Sequence, residues 1–173
     1  MSKNGIEVLK EISAEVLGQH SSISDVTWGE IAKSHKKNDY ICAKIPISGQ
    51  EIDVTFSTYF IPDDAIGYVE GKKLDKQISK DFVIDFFREY CNLIYGEYKR
   101  VFNNAGLEID QSLPESYIDR NHKFHTSREH SADNHSFWKL LSAGGTLYIG
   151  LKFDEISLGL ENLTRSAPEE EIV

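Results

Sequence analysis

The chain has 173 residues, of which 40% are hydrophobic and 27% charged, with a formal net charge of -9 at pH 7. Those proportions suit one soluble globular domain large enough to bury a core, and the negative charge argues against nucleic acid and anionic membranes as main partners. No apolar run approaches the ~20 residues of a membrane span, and the N-terminus MSKNGIEVLKEIS lacks a signal-peptide core, so a cytoplasmic protein with free thiols at Cys42 and Cys91 is expected.

Ile6, Leu9, Ile12, Val16 and Leu17 recur at helical spacing, with Gly18 placed to cap the helix. Residues 40–47 and 52–60 read as strands, and Ser48-Gly49-Gln50 between them suggests an antiparallel hairpin. Pro62-Asp63-Asp64 looks like a helix start, with Ala65, Ile66 and Val69 as its apolar side and Gly71 ending it. After a polar link, Asp81 to Ala105 reads as one long helix closed by Asn103-Asn104-Ala105-Gly106. Leu107–Ser112, Phe137–Ser142, Thr146–Phe153 and Ile156–Leu160 read as further strands, with a turn at Ala143-Gly144-Gly145. Arg120–His135 reads as a long polar loop. The expected architecture is α+β, an antiparallel sheet packed with a few helices, one of them long and carrying the active-site face. A single domain over residues 1–163 and a disordered acidic tail over 164–173 complete it.

The long helix is where function is expected. At 100° per residue, Asp85, Glu89, Asn92 and Gly96 fall within a stripe roughly 60° wide, opposite the apolar Val83, Ile84, Phe86, Phe87, Tyr90, Ile94, Val101 and Phe102. On an exposed face Asn and Gly cost about 0.7 and about 1 kcal/mol relative to Ala, so something other than helix stability accounts for them. Glu89 and Asn92 emerge one turn apart. An amide can hold a water molecule in one orientation, a carboxylate can pair with a lysine, and Gly96 lets another surface come close. A bare Glu-x-x-Asn pair is ordinarily a solvated face, and spacing alone does not settle the matter.

Two other constellations compete. His122, His125, His130 and His135 include a His-x-x-His spacing that suits zinc or nickel. No cysteine lies nearby and no rigid element is expected there, so a solvated loop is the better reading and no metal is expected. Ser, His and Asp occur without a Gly-x-Ser-x-Gly elbow or a phosphate-cradling glycine loop.

The string Asp85-x-x-x-Glu89-x-x-Asn92-Leu93-x-x-Gly96 resembles the signature of the CheC/CheX/FliY family of chemotaxis phosphatases. The surroundings are similar too: Asn104-Ala105-Gly106 leads into Leu107–Gln111 and Ser112-Leu113-Pro114, and a hairpin and short helix precede the motif at Ile41–Phe60 and Asp63–Gly71. The resemblance covers roughly residues 5–160 and implies hydrolysis of the aspartyl phosphate on a CheY-like response regulator receiver domain. By position, Asn92 would orient the attacking water and Glu89 would pair with the receiver's active-site lysine. Asp85 would support docking and Gly96 would permit close approach. The receiver would supply Mg²⁺, so this chain needs no cofactor of its own. One motif rather than two resembles the CheX-like branch, which implies a homodimer with one site per subunit. The alternative is a noncatalytic dimeric module that binds a receiver or motility protein through the same helix.

Overall fold

The computed structural model describes residues 5–31, 40–70, 78–110, 115–122, 134–156 and 163. In chain order the elements are α1 (Gly5–Ser21), β1 (Thr27–Gly29), β2 (Tyr40–Ser48) and β3 (Ile52–Phe60). There follow α2 (Pro62–Ala65) with a 3₁₀ turn (Ile66–Tyr68), α3 (Lys80–Asn104), β4 (Tyr117–His122), β5 (His135–Ser142) and β6 (Gly145–Ile156). The strands form one six-stranded sheet in the order β1-β5-β6-β3-β2-β4. Every neighbouring pair is antiparallel, so the expected α+β architecture is the observed one.

Two hairpins build the sheet's centre. In the first, β2 and β3 pair from Ile41↔Phe60 to Ser48↔Asp53, closed by the Gly49 amide donating to Ile52 O at 2.8 Å. Gly49 also bridges to Ile109, and a side chain there would run into the Glu108 carbonyl. In the second, Ser142 pairs with Gly145 across the expected tight turn. Alternation along the strands then sorts residues between the faces. Ile41, Ala43, Ile45, Ile47, Val54, Phe56, Leu147, Ile149 and Leu151 join α1 and α3 in the main core. Tyr40, Cys42 and Tyr59, with Phe137 and Tyr148, make a smaller cluster from the intervening positions. Both cysteines are buried free thiols.

Several expectations need correction. Gly18 does not cap α1: the helix runs on to Ser21, where Ser22 takes φ 62° and the Ile23 amide donates to Gly18 O at 3.0 Å. The left-handed turn comes from a serine, a less usual choice than glycine. Leu107–Ser112 does not form a strand in its described part, 107–110; Ile109 makes one bridge only. The Arg120–His135 loop is shorter than expected at both ends, because Arg120 to His122 belong to β4 and His135 opens β5. Its His125 and His130 lie outside the described residues, and so do Gly71, the strand expected at 157–160 and the tail at 164–173. Strand β6 continues through Ile156, which therefore does not start a separate strand.

Candidate functional site on α3

Helix α3 starts where Ser79 caps it, its side chain accepting from the Phe82 amide at 3.1 Å. It ends in a glycine cap. Gly106 has φ 89°, its amide donates to Asn103 O at 3.0 Å, and the Leu107 amide donates to Phe102 O at 2.9 Å. That is the Schellman pattern, sealed by the buried apolar pair Phe102 and Leu107.

Polar anchors on the buried side fix the helix's rotation about its axis. The Tyr90 hydroxyl donates to Ser13 O and the Tyr98 hydroxyl to Leu9 O, both at 2.7 Å. Burial raises the pKa of both phenols well above the usual range, so both stay protonated donors. Ser13 also takes the Trp138 indole N–H on its Oγ at 2.9 Å, joining α1, α3 and β5. Nearer the start of α3, His20 Nε2 lies 3.1 Å from Phe86 O while the two rings stack 4.1 Å apart. On the sheet side, the Cys91 thiol donates to Ala43 O at 3.6 Å, and on the far flank the Tyr95 hydroxyl donates to Asp110 O at 3.3 Å. Val83, Ile84, Phe86, Phe87, Tyr90, Ile94, Val101 and Phe102 are all buried, as their spacing implies.

With that rotation set, Asp85, Glu89, Asn92 and Gly96 are all exposed together on the opposite face. Glu89 and Asn92 stand about 4.5 Å apart along the axis, and the stripe from Asp85 to Gly96 runs about 16 Å. A Cβ built on Gly96 meets nothing within 4 Å. Among the described residues nothing therefore requires a glycine there. The stripe is a convex ridge, suited to entering a partner's cleft rather than enclosing a small substrate.

Other residues frame the ridge, and of these the sequence named only Leu93, as part of the motif. Edge strand β4 and the residue before it border one side: Arg88 donates to Ser116 O at 3.5 Å, and Arg120 in β4 lies 3.9 Å from Asp81. Exposed pairs of this kind stabilise by at most about 1 kcal/mol; their interest is position. On the other side Leu93 is 41% exposed. Lys99 and Arg100 follow Gly96, with Arg100 2.8 Å from Glu97. Leu93 was legible in principle, as an apolar residue off the helix's core stripe. The β4 flank was not, because it depends on strand pairing distant in sequence.

Of the histidine region, His125 and His130 lie outside the described residues, and His135 opens β5. The His135 ring lies tilted by 36° against that of Phe137, with centroids 4.2 Å apart. Among the described residues no group of three or more His, Cys, Asp or Glu is placed to hold a metal ion, and no helix is long and apolar enough to cross a membrane.

No protein-family model matches the sequence, and no curated protein does. Solved structures do match. The chain is similar to a CheC-like superfamily protein from Shewanella sp. PV-4, at 21% identity and TM-score 0.63, over 89% of this chain and 99% of that one. It is similar to the chemotaxis protein CheX from Vibrio vulnificus, at 16% identity and TM-score 0.60, over 87% and 99%. A third match, at 13% identity and TM-score 0.64 over 87% and 97%, is the CheX–CheY–BeF₃–Mg²⁺ complex from Borrelia burgdorferi. The class these comparisons define is a fold: this chain has the α+β fold of the CheC-like and CheX chemotaxis proteins, over nearly the whole length of each.

Proposed function

We propose that the chain is a CheX-like phosphatase that hydrolyses the aspartyl phosphate of a CheY-like response regulator, in chemotaxis or a related two-component pathway. The observation that carries this reading is the exposed ridge. Glu89 and Asn92 stand one turn apart on the free face of a helix whose other faces are tied down, within a fold shared with CheX. The Borrelia CheX solved with CheY supports a receiver domain as the partner.

Each ridge residue has a task that its chemistry suits. The Glu89 carboxylate pairs with the receiver's active-site lysine and fixes the register of docking. The Asn92 amide enters the receiver's site, accepts from the attacking water with its carbonyl oxygen and aims the water at phosphorus. The water oxygen bonds to phosphorus as the bond from the aspartyl oxygen breaks, releasing inorganic phosphate and a carboxylate. Asp85 supports docking, and Gly96 lets the helix approach closely. The receiver brings the phosphorylated aspartate and its Mg²⁺. Phosphoryl transfer depends mainly on positioning and charge neutralisation, so one well-placed amide suffices from this side. The working form is a cytoplasmic homodimer with one ridge per subunit.

The test is to phosphorylate receiver domains from the same genome and follow phosphate loss. Wild-type protein should accelerate it. Asn92→Ala should lose roughly 10- to 100-fold of the acceleration through lost water positioning, and Glu89→Ala should weaken both capture and turnover. Neither variant should melt below wild type, since both side chains are exposed, and Asn92→Ala should melt slightly higher because alanine is the better helix former. Equal acceleration by all three proteins would refute the site. Capture of a receiver without any acceleration would decide for the noncatalytic module.

A further inference from the structure

Leu93 is one of three large apolar side chains exposed among the described residues; the others, Tyr117 and Leu141, lie on the sheet. A scattered exposed leucine needs no explanation, but the surroundings of this one are particular. It lies four residues after Glu89, next to Asn92 and three before Gly96. A helical side chain leans back over the preceding turn, so Leu93 covers surface beside Glu89. One turn further on, Gly96 leaves open space where a Cβ would stand. Charges of both signs surround it: Asp85 and Glu89 with Arg88 between them toward the helix start, and Lys99 toward its end, its ammonium 5.9 Å from the Tyr95 ring. The face thus combines an apolar knob, an open notch and a charged surround.

We propose that Leu93 is the apolar anchor with which α3 seats a receiver domain, entering a shallow apolar depression beside the partner's lysine. This rests on the function proposed above and adds a residue that sets affinity rather than chemistry. Protein interfaces concentrate binding energy in a central desolvated side chain inside a polar rim. Here Asp85, Arg88, Glu89 and Lys99 supply that polar rim around Leu93. Such charges orient the encounter more than they tighten it. The occupant is a receiver and not a second copy of this chain, because a second copy seated on Leu93 would cover Glu89 and Asn92 and close the ridge.

The test titrates a receiver, activated with beryllofluoride and Mg²⁺, into the full-length wild type, Leu93→Ala and Leu93→Met, with gel filtration and a melt for each. Burying the exposed part of one leucine is worth about fivefold in affinity. Leu93→Ala should weaken capture by about five- to tenfold and raise KM while leaving kcat and the melt unchanged. Leu93→Met should restore capture. Undiminished capture by Leu93→Ala overturns the anchor and leaves the phosphatase standing. A changed oligomeric state with unchanged capture also overturns it, in favour of a second copy. Wild-type protein that captures no receiver overturns the anchor and the proposed function together.

Discussion

Replacing Gly96 with alanine sets stability and docking against each other. Mid-helix glycine is about 1 kcal/mol less favourable than alanine, because the unfolded chain has more freedom to lose. A new methyl group usually brings a packing cost that offsets this gain. At Gly96 there is none among the described residues, because a Cβ meets nothing within 4 Å. Gly96→Ala should therefore stabilise the fold by about 0.5–1 kcal/mol, raising the melting temperature by about 1–4 °C for a chain of this size. Against a closely apposed partner the same methyl acts as overpacking, which costs about 1–3 kcal/mol and weakens capture about tenfold. Calorimetry gives the first number, and titration with a beryllofluoride-activated receiver gives the second. A lower melting temperature would refute the claim that the position is free of intramolecular contact. A higher one with undiminished capture would refute the claim that the glycine serves close approach.

Three further outcomes follow from the packing around α3. Tyr98→Phe removes the buried hydroxyl bonded to Leu9 O at 2.7 Å; it should cost about 1 kcal/mol in a melt and leave receiver capture unchanged, and an unchanged melt would mean the bond does not tether the helices. Burial pushes the Cys42 thiol up to about 12 and the Cys91 thiol higher still, so neither should react with a thiol reagent at pH 8 until the protein is unfolded. Rapid labelling of the native protein at either position would contradict the packing. His135 is half-buried, and burial followed by the Lys152 charge lowers its pKa. The unfolded imidazole then binds its proton at higher pH than the folded one, so stability falls as pH drops below about 6.5 and is unaffected above it. His135→Asn should flatten the fall in melting temperature between pH 7 and 5; identical slopes for variant and wild type would show that the ring is not shielded.

What could be read from the chain was whatever depends on near neighbours in sequence. The amphipathic period of residues 81–105 placed α3 to within one residue at each end and sorted its faces correctly, because one long stripe must be buried and the opposite one must not. The two hairpins were legible for the same local reason, tight turns between alternating strands. The candidate ridge was visible as residues on one helix face, and the resemblance carried by its spacing agrees with the fold of the solved CheC-like and CheX structures.

Tertiary structure decided the rest. Strands β1 and β4 went unread because one has three residues and the other, Tyr117–His122, is polar and forms an edge; their pairing comes from β5 and β2, not from their own composition. Ile109 looked like part of a strand but found a single partner, since Gly49 is where the β2–β3 hairpin turns away. Gly18 looked like a cap, yet the helix passed through it to Ser21, whose hydroxyl donates to Leu17 O, while His20 stacks on Phe86 of α3. The border that β4 gives the ridge, and the seating of Tyr90 and Tyr98 on α1 carbonyls, join residues far apart in the chain. Local spacing determines which residues share a helix face. Only long-range packing determines which way that face points and what stands beside it.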